Sequence, residues 1–292
     1  MKFYFIIFHL IPLFLFSQKS KSDHFLFEAN KIFGSNPDSA FVLCNLADKL
    51  NVKENKGEIL LCRARYFIVN IDYEKCEVEL NKAIILFEKQ KDFTKLSSAF
   101  SLKSILYDRL NNEELCEKYL LKSYHLDKMS KNTFQLINRL FNLVQIYIKR
   151  EDSLNSKKYL DELEQYKSIF TEEDYYYYHQ NRGLFLLMIN DSKGAIHEFE
   201  IAKSQAYKEN MLDSKATILT FLAEAYALDN QKDLALNFAF ESYEYSVQNK
   251  LKFEEMEALE VLIKILEKEK KYKLAFEYQK KFNQISNELL NV

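Results

Sequence analysis

Proline and glycine are scarce, at two and four residues in a chain of 292. Tight β-hairpin turns and flexible linkers both depend on them, so the composition argues against an all-β fold and against a long Pro/Gly-rich linker. Tryptophan is absent. The aromatic content is carried by 24 phenylalanines and 19 tyrosines, which is packing material of moderate size. No charge of one sign dominates: the formal net charge is -2, which excludes the overall basic footprint of a nucleic-acid binder. Gly34, Gly57, Gly183 and Gly194 are too scattered for a phosphate loop or a dinucleotide fingerprint. The five histidines have no metal-ligand spacing. His179 and His197 can approach across a helix pair, but no acidic or cysteine companion is evident beside them. No nucleophile is set beside a base. The expectation is a protein that is not an enzyme, with no catalytic residues, no cofactor and no metal site.

Long uncharged apolar runs are also missing, with one exception at the N-terminus. Lys2 is followed by an apolar run of 14 residues, Phe3 to Phe16, and then by the small residue Ser17. That is the pattern of a secretory signal peptide, which divides the chain into a leader, 1–17, and a mature part, 18–292. The run is short for a bilayer span, which takes about 20 residues. No cysteine follows it to carry a lipid anchor. The expectation is an exported protein, periplasmic or secreted, with no membrane span after cleavage. Export makes the four cysteines worth weighing. Cys44, Cys62, Cys76 and Cys116 match no zinc or redox spacing. A domain of this size does not need disulfides, so all four are expected to be free, buried and apolar in behaviour.

What the chain does have is a period. In residues 181–203 the small residues are Gly183, Ala195 and Ala202, and in residues 221–244 they are Ala223, Ala235 and Ser242. Steps of about 40 residues from Ala195 and Ala235 connect Ala40, Cys76, Cys116, Ser156, Ala195, Ala235 and Ala275. Around each rung apolar residues recur at three and four, as in Leu219, Leu222, Ala223 and Tyr226, and short polar turns such as "NDSK" and "DNQKD" intervene. The pattern predicts an all-α chain of seven helical hairpins and about fourteen helices. Small residues let paired helices approach, and stacking the pairs makes a continuous core.

The stretch 181–203 resembles the tetratricopeptide repeat (TPR). Asn181 and Gly183 stand where that family has its first-helix Asn and Gly, and Ala195, Phe199 and Ala202 stand at its small, aromatic and small second-helix positions. "LAEAY" at 222–226 repeats the first-helix motif. The period is longer than the family's usual one, its Trp is replaced by His179, and its closing Pro is missing. A HEAT-type array runs at a comparable period, of about 40–47 residues; the small-residue spacing favours the TPR-like reading. The resemblance implies a right-handed superhelical solenoid whose concave groove is lined by first helices.

The run Tyr175–Tyr178 can be read in that frame. Thr171 and Asp174 form a capping-box variant, and Glu172, Glu173 and Asp174 suit a helix start near residue 172. Successive residues turn by about 100°, so four neighbours cannot share one face. Tyr176, His179, Gly183 and Leu186 face the partner helix, while Tyr178, Phe185 and Ile189 face a neighbouring unit. Tyr177, Gln180, Leu184 and Met188 form a third stripe. By the resemblance, that stripe lies on the groove with Leu61, Arg65, Ser101, Ile105, Arg109, Phe141 and Gln145. These residues do not reproduce the Lys/Asn clamp of TPR domains that grip C-terminal carboxylates, which argues against a chaperone co-factor. The segment "EKEKKYK" at 267–273 is read as a solvated helix surface with Glu267–Lys271 and Glu269–Lys273 pairs at i,i+4.

The expected function is a non-catalytic, exported scaffold that binds a protein or peptide segment, with no nucleic acid. The alternative is a sensory input module. The layout resembles the exported TPR portion of bacterial envelope sensors. The sequence reaches Val292 without a membrane helix or an output domain, so on that alternative it acts through a membrane-protein partner. Tyr272, Phe276 and Leu290 do not fit the inward stripe of the last helix and form a candidate docking edge, for a second copy or for that partner.

Overall fold

The computed structural model describes the backbone of residues 2–290 and the side chains of residues 17–289. The described residues form fourteen α-helices in seven consecutive pairs. The pairs are α1 (Lys2–Ile32) with α2 (Pro37–Lys49), α3 (Lys56–Val69) with α4 (Tyr73–Gln90), and α5 (Phe93–Arg109) with α6 (Glu113–Ser130). Then come α7 (Thr133–Lys149) with α8 (Ser153–Glu164), and α9 (Glu172–Met188) with α10 (Ser192–Lys208). The last two are α11 (Leu212–Leu228) with α12 (Lys232–Asn249), and α13 (Lys252–Lys268) with α14 (Tyr272–Leu290). The chain divides into two compact units, Met1–Arg139 and Leu140–Val292, with the boundary inside α7. The side chains of the expected leader, as far as residue 16, lie outside the described residues, as does that of Leu290. No helix among the described residues is long and apolar enough to cross a membrane.

The ladder of small residues sets the hairpins. Ala40, Cys76, Cys116, Ser156, Ala195, Ala235 and Ala275 are each the fourth residue of a second helix, and each is buried. At that rung the two helices are close enough that little beyond a methyl, hydroxyl or thiol fits. The glycines report the same crowding. A Cβ added to Gly183 would overlap the ring of Phe199 on the partner helix, and one added to Gly57 would overlap Phe87.

The turns are nearly as regular as the helices, and none of their left-handed residues is a glycine. Most links run through a C-cap residue, one left-handed residue and an N-cap. The left-handed positions include Asn51, Ile71, Lys91, Asn111, Asn190, Asn230 and Lys270, with φ between 53° and 61°. Asparagine tolerates this conformation because its side chain can bond locally. The next residue is often Asp or Asn, which caps the following helix: Asp72 accepts from the amide of Lys75, Asp92 from Lys95, Asn112 from Leu115 and Asp191 from Gly194. Such a cap stabilises by about 1 kcal/mol. Ile71 is the misfit, a β-branched residue at φ 58° with its side chain in solvent. Its backbone strain is about 1–2 kcal/mol. Ile71→Asn is expected to raise stability by about 1 kcal/mol. An unchanged urea midpoint would show that the turn carries no such strain.

Two expectations are corrected here. Cys44 on α2 and Cys62 on α3 are joined by a disulfide, with their Cα atoms 6.4 Å apart. Both lie in the buried cluster that joins the first two hairpins, and a separation of 18 residues carries no hint that they meet. Cys76 and Cys116 are outside any disulfide and buried, as expected. Burial pushes the Cys76 thiol up to about 12, so it stays protonated at neutral pH. The second correction concerns residues 267–273. The segment crosses from α13 to α14 through left-handed Lys270, so it is no continuous helical surface. Glu269 instead pairs with Lys232, at 2.9 Å.

Candidate functional site

First helices of successive hairpins touch each other within each unit: α3 meets α1 and α5, and α11 meets α9 and α13. That contact makes the first-helix side the closely spaced, inner side. In the unit of residues 1–139, Leu61 is buried there. Arg65 is half-buried and donates to Asn30 Oδ1 at 3.0 Å, and burial pulls its pKa down. Ser101 is buried, and Ile105 and Arg109 are exposed.

In the unit of residues 140–292, Phe141 is buried with its ring centroid 6.2 Å from that of Tyr177, and Gln145 is exposed. Tyr177, Leu184 and Met188 are half-buried. Gln180 is buried, and its Oε1 has no hydrogen-bond partner. Repeat register extends this stripe across two more helices. Tyr177, Thr217 and Glu257 form one row, Gln180, Thr220 and Glu260 the next, and Leu184, Glu224 and Lys264 the third. Sequence reasoning missed the last two helices of this face. Stepping 40 residues on from Leu184 and 80 from Tyr177 was the signal that could have found Glu224 and Glu257.

The four tyrosines separate as their rotation requires. Tyr175 is exposed, and Tyr177 lies on the inner face. Tyr176 is buried and donates its hydroxyl to the Ser214 carbonyl of α11 at 3.2 Å. Burial pushes its phenol pKa up. Tyr178 is buried and donates to Glu164 of α8.

Behind this face lies a polar cluster that composition did not reveal. His179 is buried, with Nδ1 2.6 Å from Glu198 Oε2, and Arg182 Nε lies 3.1 Å from Glu198 Oε1. Arg182 also reaches Tyr178 Oη at 3.0 Å and Glu164 Oε2 at 3.3 Å. This corrects the expectation that His179 has no acidic companion. Burial raises the Glu198 pKa, but His179 and Arg182 outweigh it and hold the carboxyl below its usual range. The cluster departs from the chain's own repeat. Where His179 stands, five of the six other hairpins have buried Leu60, Phe100, Leu140, Leu219 and Leu259. Where Glu198 stands, three have an aromatic ring stacked on its partner helix: Tyr119 on Tyr107 at 5.5 Å, Tyr159 on Tyr147 at 5.5 Å, and Phe238 on Tyr226 at 5.3 Å. The cluster borders a cavity of about 130 Å³ between α8 and α9, lined in part by Glu164, Tyr178 and Arg182.

No protein-family model and no curated protein matches this sequence. Solved structures do. A Rap protein complexed with competence and sporulation factor superposes with a TM-score of 0.74 at 14% identity, over 92% of this chain and 77% of that one. The apo form of RapI superposes with a TM-score of 0.73 at 13% identity, over 93% of this chain and 100% of that one. A signal-transduction ATPase with a tetratricopeptide repeat sensor, from Pyrococcus horikoshii, gives a TM-score of 0.56 at 14% identity. The match to it covers 88% of this chain and 41% of that one. The fold is a TPR-like array of helical hairpins. Identities this low speak for the fold alone. On the terminal helix α14, Tyr272 and Phe276 are 63% and 61% exposed, and Lys280 lies over the Phe276 ring at 4.5 Å.

Proposed function

We propose that this protein is a non-catalytic interaction module that binds a protein or peptide segment along its first-helix face. The observation that carries the reading is Gln180. A buried side-chain amide with an unpartnered oxygen costs stability unless a ligand completes it, and it stands on the inner stripe with Tyr177 and Leu184. The Rap protein of similar fold was solved with a bound factor, which agrees with this use of the architecture. Panning a displayed library of random peptides against the whole chain tests it. Enriched peptides are expected to lose binding to Tyr177→Ala and Leu184→Asp. Peptides that bind both variants as well as the native chain would place recognition elsewhere.

Export belongs to the same proposal. It is supported by the apolar run Phe3–Phe16 and by the Cys44–Cys62 bond, since disulfides persist in oxidising compartments. Intact-mass measurement on alkylated protein from the native host is expected to show loss of residues 1–17 and two alkylated cysteines. A chain retaining Met1, with four alkylated cysteines, contradicts it. The second reading is a sensory input acting through a membrane partner. It is favoured by exposed Tyr272 and Phe276 at the terminal edge, where Phe276→Glu would weaken capture of that partner and leave peptide binding intact.

A further inference from the structure

We infer that the face of α9, α11 and α13 recognises a peptide segment that carries a basic side chain, lysine or arginine. The inference rests on the reading of this face as the binding surface, and it adds the chemical class of the ligand. In its three rows, Glu224, Glu257 and Glu260 stand with one cation, Lys264. Lys264 is already committed to Glu260 at 2.7 Å. Among the described residues, neither Glu224 nor Glu257 has a basic side chain within ion-pair distance. Glu224 is half-buried. Burial pushes its pKa up, Lys264 opposes the rise, and Glu260 and Glu257 add to it. Burial followed by Glu254 and Glu260 does the same to Glu257. Neighbouring carboxylates without an ion-paired cation of their own regain stabilisation when a cation docks beside them.

The nature of that cation follows from the geometry. Among the described residues, no three His, Cys, Asp or Glu side chains come together as a metal site, so a bare divalent ion is poorly served. The face continues from the carboxylates to apolar Leu184 and Tyr177, and to Gln180, nine-tenths buried with its amide oxygen unpartnered. A buried amide oxygen suits a peptide N–H, and a basic side chain on the same segment can reach the carboxylates. Charge, apolar contact and main-chain recognition therefore occur on one face of one unit. The charged part accounts for specificity and association rate more than for raw affinity.

The test repeats the random-peptide panning with Glu224→Gln/Glu257→Gln beside the native chain. Both substitutions keep the side-chain volume and remove the charge, one at a half-buried and one at an exposed position. Peptides selected on the native chain are expected to share a lysine or arginine. Their affinity should fall about tenfold or more on the double variant and weaken with added salt. Selected peptides without a basic residue, or basic ones that bind both proteins equally, overturn the inference. If those same peptides are still lost on Tyr177→Ala, the binding-face reading survives alone. Failure to select any peptide overturns both. Circular dichroism of each variant checks that the helices are intact.

Discussion

Replacing Glu198 with alanine is expected to destabilise the protein by about 3–5 kcal/mol. The carboxylate is shared by His179 at 2.6 Å and Arg182 at 3.1 Å, and both His179 and Glu198 side chains are less than a tenth exposed. Alanine leaves the imidazole buried with both nitrogens unpaired, because Nε2 already lacks a partner. It also removes one of the anions that hold the guanidinium. Restoring the chain's own repeat is expected to do the opposite. The pair His179→Leu with Glu198→Tyr puts back the Leu and the aromatic ring found at these positions in other hairpins. Exchanging a buried ion pair for packed apolar groups is neutral or stabilising by about 1–4 kcal/mol. Urea midpoints of the two variants should therefore move in opposite directions, or the second should not move. A double variant as unstable as Glu198→Ala would mean that the cluster packs better than the rings it replaces. The pH dependence has a fixed sign. The Glu198 pKa is depressed in the folded state, so its contribution is present above the ordinary glutamate pKa and lost as pH falls through the folded value.

Removing the disulfide has the next largest expected effect. Cys44 and Cys62 are 18 residues apart in sequence, and closing a loop of that size stabilises by about 3 kcal/mol in the chain-entropy view. The loss should be local. The bond ties the first hairpin to α3 beside the Arg63–Asp48 and Lys56–Asp48 pairs, at 2.8 and 2.7 Å, and ion pairs with this much solvent access hold weakly. Cys44→Ala/Cys62→Ala is therefore expected to open residues 37–69 to hydrogen exchange well before the unit of residues 140–292 changes. Uniform loss of protection along the whole chain would mean that the first hairpin is integral to global stability.

The hairpins were legible because one physical requirement repeats. A close helix crossing excludes large side chains, so the rungs from Ala40 to Ala275 mark the crossings directly, and all are buried. The capping box was legible for the same kind of reason. Asp174 accepts from the Thr171 amide at 2.9 Å, and Thr171 Oγ1 accepts from the Asp174 amide at 3.1 Å, at the expected helix start. The rotation of Tyr175–Tyr178 was legible from helix geometry alone. Features that depend on which helices lie side by side were not. The Cys44–Cys62 bond and the Glu198–His179 pair join residues on different helices with no local signature. The turns hid their left-handed residues, because lysine, glutamate and even Ile71 occupy them in place of glycine. The inner stripe was read as far as Met188 and stopped short of the carboxylates that give the face its charge.

Hydrogen exchange on the whole chain, with and without the tightest panned peptide, tests the binding face most directly. Protection is expected to rise on α9, α11 and α13, strongest around Tyr177–Leu184 and Thr220–Glu224, with little change on α10 and α12. Protection centred on the second helices, or on the exposed edge of α14, would contradict a first-helix binding face.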